Sequence, residues 1–383
     1  MKAWSIVLLS IGLAACATPP APPPAAGLAD DSLFGAPSEH IGAADVFTVS
    51  AEMRQFLNDE ISPQTRVKGA QRALIEALQK KGQLKLEYDS VFTRNAAQAF
   101  SARSGNCLSL VIMMAAMAKE LGVAVQYQKV LVDETWTRDG NIVFNIDHVN
   151  LNLGRKSTDM RMGARNDELL TVDFLPPEEI RGQRTSLLTE ERIVAMYMNN
   201  RAAESLARAQ LDDAYAWAHA ATLQDPAFLS AANTLGVVYR RHGNLEQAER
   251  AFRFVLVREP DNTRAMANLA QTLGEMGRDA ESAALQRKLA ALQPDPPFVF
   301  FNQGVAAMRA GDYKSARALF SKEVDRAGYY HEFHYWLAVA CAKLGDAAQA
   351  RKHLALAMES STTHADHELY AAKLDRIRSS GAH

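Results

Sequence analysis

Hydrophobic and polar positions follow two different rhythms along this chain, and the rhythm changes near Thr189. Upstream, short helical patterns give way to alternation. Ser50, Glu52, Met53 and Phe56-Leu57 predict a short helix, and Ser62-Pro63 opens a second, with Ser as cap and Pro in the first turn. Val67, Ala70, Leu74, Ile75 and Leu78 keep helical spacing to a stop at Gly82. Leu84 to Tyr88 reads as extended and Thr93 to Ser101 as helical. Asn106 then caps a helix whose positions Leu108, Val111, Ile112, Ala115, Ala118 and Leu121 form a wide apolar face, ended by Gly122. Strand-like runs follow at Ala124 to Val132, Asn141 to Leu153 and Leu169 to Phe174, and Pro176-Pro177 closes the unit. Helices packed on an antiparallel sheet predict an α+β domain over residues 49–185.

Beyond Thr189 the pattern is helical and periodic. Gly243, Gly277, Gly311 and Gly345 recur at 34-residue intervals, as do Pro226, Pro260 and Pro294. Ala214, Ala248, Ala316 and Ala350 hold a second register, with Ser282 in the remaining slot, and Phe252 and Phe320 share a third. Each Gly ends a helix and each Pro marks the turn into the next pair. Leu235-Gly236-Val237-Val238-Tyr239, Ala248, Phe252 and Pro260 form the best-matched unit of a pattern that resembles the tetratricopeptide repeat. The resemblance implies an all-α solenoid over residues 189–380 with about five units, starting near Ala195, Leu229, Thr263, Pro297 and His331. Such arrays offer a concave surface to peptides or helices. Phe298, Phe301 and Tyr335 fall on first-helix positions lining that surface and are the candidates for partner contact, with burial between repeats as the competing reading.

The first residues carry a different signal. Met1-Lys2 is a short positive start, and Ile6 to Leu13 is an apolar run too short to span a bilayer. Leu13-Ala14-Ala15-Cys16 resembles the lipobox of bacterial lipoproteins. That resemblance implies removal of residues 1–15, acylation of Cys16 and, with Ala17 rather than Asp next, an outer-membrane location facing the periplasm. An ordinary secretory peptide is the alternative. The Pro-rich stretch Thr18 to Pro24 reads as an extended spacer, and residues 16–48 as a linker with order beginning near Asp45 to Ser50.

The 383 residues are 48% hydrophobic and 22% charged with a net charge of -2, so nucleic acid is disfavoured as a partner. No cofactor signature is visible. With Cys16 lipidated, Cys107 and Cys341 remain. Cys341 takes the register of Tyr239 and reads as repeat core. His331 with His334, and His364 with His367, form helical pairs better explained by surface or groove positions than by a metal.

Cys107 carries the candidate chemistry. It follows Gly105-Asn106 at a helix start, where the partial positive charge of the helix end favours a thiolate, as a neighbouring imidazolium also does. His148 and Asp173 lie on strand-like runs downstream and fit the roles of base and orienting carboxylate. The order Cys, His, Asp, with Tyr88 to Phe100 and Gly105-Asn106-Cys107-Leu108-Ser109, resembles the transglutaminase-like (papain-related) superfamily, in a bacterial group where the domain precedes tetratricopeptide repeats. The resemblance implies a nucleophile at Cys107, a base at His148 and an orienting residue at Asp173, acting on amide bonds of a protein or peptide. Val149 and Asn150 follow the His where that family often has aromatics. Gln98 is the candidate side-chain donor to an oxyanion. Asn150 either supports the site or faces solvent. In the second functional expectation the triad is structural and the repeats assemble envelope partners without catalysis.

Overall fold

The computed structural model describes residues 27–79, 86–89, 92–139, 142–156, 169–174, 183–361 and 363–380. The lipobox with Cys16, the spacer, Gly82 and Pro176-Pro177 lie outside the described residues.

The N-terminal half builds helices against a sheet. Helix α1 (Ala51–Phe56) starts at Ser50, whose hydroxyl accepts from the Met53 N–H at 3.2 Å. A π-helical turn, Leu57–Ile61, carries it directly into α2 (Ser62–Lys68). Ser62 therefore stands within helical backbone rather than capping a new helix, because the wider turn keeps Leu57 and Ile61 both buried. Gly69, at φ +81°, separates α2 from α3 (Ala70–Gln79). Strand β1 (Glu87–Tyr88) pairs in parallel with β2 (Ser104–Gly105), and α4 (Ala96–Ala102) lies between them in sequence.

Helix α5 (Cys107–Glu120) is the centre of this half. Asn106 caps it by accepting from the Ser109 N–H at 2.9 Å, and Gly122 at φ +73° stops it. Every residue from Cys107 to Ala118 is buried, so the apolar face read from the sequence is in fact the whole circumference. The reason is its surroundings: α4, the sheet and the first repeat helix all pack on it. Burying side chains such as Ile112 and Met113 completely contributes about 1.5–3 kcal/mol each.

The main sheet has the order β5-β4-β3-β6, all antiparallel, with β3 (Val123–Asp139), β4 (Ile142–Lys156), β5 (Leu170–Val172) and β6 (Arg184–Leu188). The sequence pattern missed β6, whose residues are almost all exposed and show no alternation. On β4, Val149, Leu151 and Leu153 join the core, and His148, Asn150 and Asn152, on the opposite face, are buried too.

From Glu190 the described chain is helical. Pairs run α6 (Glu190–Ala207) with α7 (Leu211–Gln224), α8 (Leu229–His242) with α9 (Leu245–Arg258), and α10 (Thr263–Glu275) with α11 (Asp279–Leu292). Next come α12 (Val299–Arg309) with α13 (Tyr313–Arg326) and α14 (His331–Lys343) with α15 (Ala347–Glu359), followed by α16 (His364–Ser380). Gly243, Gly277, Gly311 and Gly345 all take φ between +74° and +93°, which explains their strict spacing. One apolar cluster runs from Leu28 through the sheet to Leu273. A second begins at Phe298 and reaches Ala350. Between them α11 buries only Ser282.

The linker expectation for residues 27–48 needs correction. Leu28 is buried and Tyr239 donates its hydroxyl proton to the Leu28 carbonyl at 2.9 Å. Val46 is fully buried at the other end, where its carbonyl accepts from Ala96 N–H at 3.0 Å. The segment is seated on the fold because its backbone amides find side-chain partners there, a contact that leaves no hydrophobic pattern.

Candidate functional site

The structure brings Cys107, His148 and Asp173 together. Cys107, outside any disulfide and 5% exposed, stands at the first position of α5. His148 on β4 is 2% exposed. Its Nε2 lies 2.7 Å from Oδ1 of Asp173, just past the end of β5. Nδ1 makes no hydrogen bond to oxygen or nitrogen and is the ring nitrogen left for the Cys107 side chain, which interacts with the imidazole. Burial disfavours a charged ring, but the bond to Asp173 and the contact with Cys107 outweigh it and push His148 up to about 9. The shift favours the protonated ring beside the sulfur.

Asn150 belongs to this site. It is 3% exposed rather than solvent-facing, and its Nδ2 donates to Asp173 Oδ2 at 2.8 Å. Leu151 pairs with Val172 across β4 and β5, so Asp173 follows in register opposite Asn150 with His148 on the diagonal. The row continues at Asn152, which accepts from Thr171 Oγ1 at 2.8 Å and donates to Gln126 at 3.2 Å. The signal was present in the sequence: His148, Asn150 and Asn152 are alternate residues on one strand face.

Gln98 has a different role from the expected oxyanion donor. It is exposed, and its Oε1 accepts from the Asn95 N–H at 3.1 Å while Asn95 Oδ1 accepts from the Gln98 N–H at 2.9 Å. That capping box starts α4.

The start of α5 is tied to the first repeat helix. Asn106 Nδ2 donates to Thr93 Oγ1 at 2.9 Å, and Asn200 on α6 donates to the same oxygen at 3.3 Å. The Thr93 N–H donates to Glu204 Oε1 on α6 at 2.7 Å. Burial raises the Glu204 carboxyl above its ordinary range, against the pull of Thr93 and Arg201. Ser109, fully buried, donates its hydroxyl proton to Asn106 Oδ1 at 2.8 Å and accepts from Arg94 N–H at 2.8 Å. A Cβ at Gly105 would stand 2.7 Å from the Ser109 Cβ, so the turn before the thiol needs glycine for close approach.

The partner-contact expectation fails for two residues of three. Phe298 and Phe301 are each 2% exposed and pack edge-on at 6.3 Å inside the second apolar cluster, against Phe333. They are interior because aromatic rings from α13 and α14 close over them. Tyr335 is half-buried and stacks on Tyr370 of α16 at 5.3 Å, which covers one side of it. Cys341 sits in the same apolar cluster, 2% exposed. His331 bonds Tyr370 through Nδ1 at 2.7 Å, and His334 contacts His353 at 3.1 Å. Among the described residues no group of three or more His, Cys, Asp or Glu is arranged to hold a metal.

The tetratricopeptide repeat family model matches residues 233–297 and 301–364. The C-terminal half therefore carries tetratricopeptide repeats. A curated relative, the TPR repeat-containing protein PA4667 of Pseudomonas aeruginosa, is 27% identical over 202 residues, covering 47% of this chain. The chain spans about a third (34%) of that relative's length. Among solved structures, Pseudomonas aeruginosa pilF is similar at 19% identity and a TM-score of 0.30, covering 50% of this chain and 87% of that one. YrrB, described as a TPR protein with an unusual peptide-binding site, is 19% identical with a TM-score of 0.25, covering 47% of this chain and 92% of that one.

Proposed function

We propose that this protein is a lipid-anchored cell-envelope protein whose N-terminal half is a transglutaminase-like domain acting on amide bonds of a protein or peptide, with the repeats binding a partner or the substrate. One observation carries the catalytic reading. His148 is held by Asp173 through Nε2, its Nδ1 is not bonded to oxygen or nitrogen, and its ring interacts with the side chain of Cys107, the first residue of a helix. That is the division of labour thiol acyl transfer needs. The Cys107 sulfur attacks the carbonyl carbon, the C–N bond breaks, and His148 gives its proton to the departing amine. Water or a second amine then attacks the thioester, losing its proton to His148, and the acyl group leaves Cys107. Asp173 keeps the ring oriented throughout.

The anchoring part rests on the lipobox-like Leu13-Ala14-Ala15-Cys16 alone. Palmitate labelling of the full chain in a bacterial host, lost in Cys16→Ser, tests it independently. The catalytic part is tested by incubating intact and Cys107→Ser protein with envelope extract and searching for an adduct on residue 107. A thioester adduct on Cys107 that fails to accumulate in Cys107→Ser and in His148→Ala supports acyl transfer. No adduct, together with unchanged pull-down of envelope proteins by Cys107→Ser, favours the non-enzymatic scaffold.

A further inference from the structure

The segment Leu28–Glu39 is held on the first two repeats as a peptide ligand would be. Its backbone is read by side chains: Asp30 N–H donates to Tyr215 Oη at 3.0 Å, Gly35 N–H to Asp212 Oδ1 at 2.8 Å and Ser38 N–H to Asp213 Oδ1 at 2.6 Å. Tyr215 in turn donates to Asp31 Oδ1 at 2.7 Å. Phe34 lies flat on Tyr215 at 4.0 Å and 6°, with His242 at 4.5 Å on α8. At the far end Glu39 takes both Arg201 Nη2, at 2.8 and 2.9 Å, and Trp217 Nε1, at 2.7 Å. The buried carboxylate on the receiving side, Asp213 at 5% exposed, needs hydrogen-bond donors, and Ser38 supplies two, its N–H to Oδ1 and its hydroxyl to Oδ2.

The Glu39 end continues inward. Arg201, 6% exposed, also donates to Glu204 Oε2 at 3.3 Å. Glu204 accepts from Thr93, and Thr93 accepts from Asn106, the cap of the Cys107 helix. Phe92 lies against the Arg201 guanidinium at 4.3 Å and keeps this path packed.

We propose that Leu28–Glu39 is an intramolecular peptide ligand of the first two repeats, and that its Glu39 contact positions the start of the Cys107 helix through Arg201, Glu204 and Thr93. The docking face is thus a peptide site selecting an apolar residue, an aromatic and an acid in a segment that makes a single 3-10 turn at Asp31–Leu33, and here it is occupied by the chain itself. Release of the segment loosens the helix start. Its bearing on chemistry rests on reading Cys107 as the nucleophile, whereas the docking and the relay do not.

Amide hydrogen exchange on the full chain tests both parts. Glu39→Ala, and Phe34→Ala as a second variant remote from the relay, should speed exchange at Gly35 and Ser38 about tenfold. In Glu39→Ala the Ser109 amide, bonded to Asn106, should speed up with them while Leu337 in the last pair stays unchanged. Thr93→Val should speed Ser109 alone, and Thr93→Ser, which keeps the hydroxyl, should restore it. Gly35 and Ser38 exchanging at unstructured rates in the parent protein would overturn the docking. A freed segment in Glu39→Ala with Ser109 unmoved would overturn the relay. Iodoacetamide reaction of Cys107, followed on the same samples, judges the catalytic reading separately: a thiol inert in the parent protein ends that reading, and the exchange rates still decide the docking and the relay.

Discussion

Asn150 and Asp173 face each other across β4 and β5, and the amide of the first holds the carboxylate oxygen that the imidazole of His148 leaves over. Both carboxylate oxygens are engaged in a site where His148 and Asp173 side chains are 3% and 6% exposed. The arrangement fixes the carboxylate plane, and the carboxylate then fixes the ring.

Asn150→Ala should therefore destabilise the fold by about 1–3 kcal/mol, the usual cost of stripping a donor from a buried acceptor. Asn150→Asp should cost more, because a second carboxylate would oppose Asp173 at the same distance. Urea unfolding of the two variants beside the parent protein measures the order. Asn150→Ala as stable as the parent would mean that Asp173 needs no second donor.

The raised affinity of His148 for its proton links stability to pH. A folded-state value of about 9 against 6.5 for the free side chain means that the folded form binds the proton more tightly. The resulting stabilisation is complete below about pH 6.5 and fades as pH rises towards 9. The difference in unfolding free energy between the parent protein and His148→Gln should shrink across that window, by a few kcal/mol at most. A difference that is flat from pH 6 to 9, or that grows, would contradict a charged imidazole beside Cys107.

In the repeats, two glycines make room for two rings. A Cβ on Gly236 would stand 2.6 Å from Phe252 and one on Gly304 would stand 2.6 Å from Phe320. At the same register elsewhere the small position is Ala338 and its partner Leu354, which share an apolar cluster. Gly236→Ala should cost about 1–3 kcal/mol through overpacking. Adding Phe252→Leu, which copies the Ala338–Leu354 pair, should recover part of that loss, as thermal unfolding of the single and double variants would show. Additive losses would mean that the ring and the glycine are not coupled.

The repeat register was plain in the sequence because a left-handed residue follows the first helix of each pair and favours glycine, a choice that recurs at Gly243, Gly277, Gly311 and Gly345, while the first pair takes the same turn with Ala209 at φ +58°. Cys107 stood out for a similar local reason, a close-packed glycine and a capping Asn immediately before an apolar helix. Residues read through periodicity alone fared worse. Phe298 and Phe301 occupy positions that line such arrays on average, yet here neighbouring rings enclose them. Asn150 could be placed on a face by alternation, but not said to be buried, because both faces of β4 are covered. The segment before Ser50 gave no warning, since Gly35 and Ser38 are bound through amides that every residue type carries.

The thinness of α11 has a mechanical consequence. Buried apolar residues run from Leu28 to Leu273 and begin again at Phe298, so the helix that bridges the two is held by a partly buried Leu285 on the first cluster and by Ser282 as its one buried residue. Pulled from its C-terminal end, the chain should yield there first, releasing α12 to α16 as one block at low force while the thiol-bearing half and the first repeats hold. Calorimetry should register the same seam as two melting events, the smaller belonging to the block that begins at Phe298.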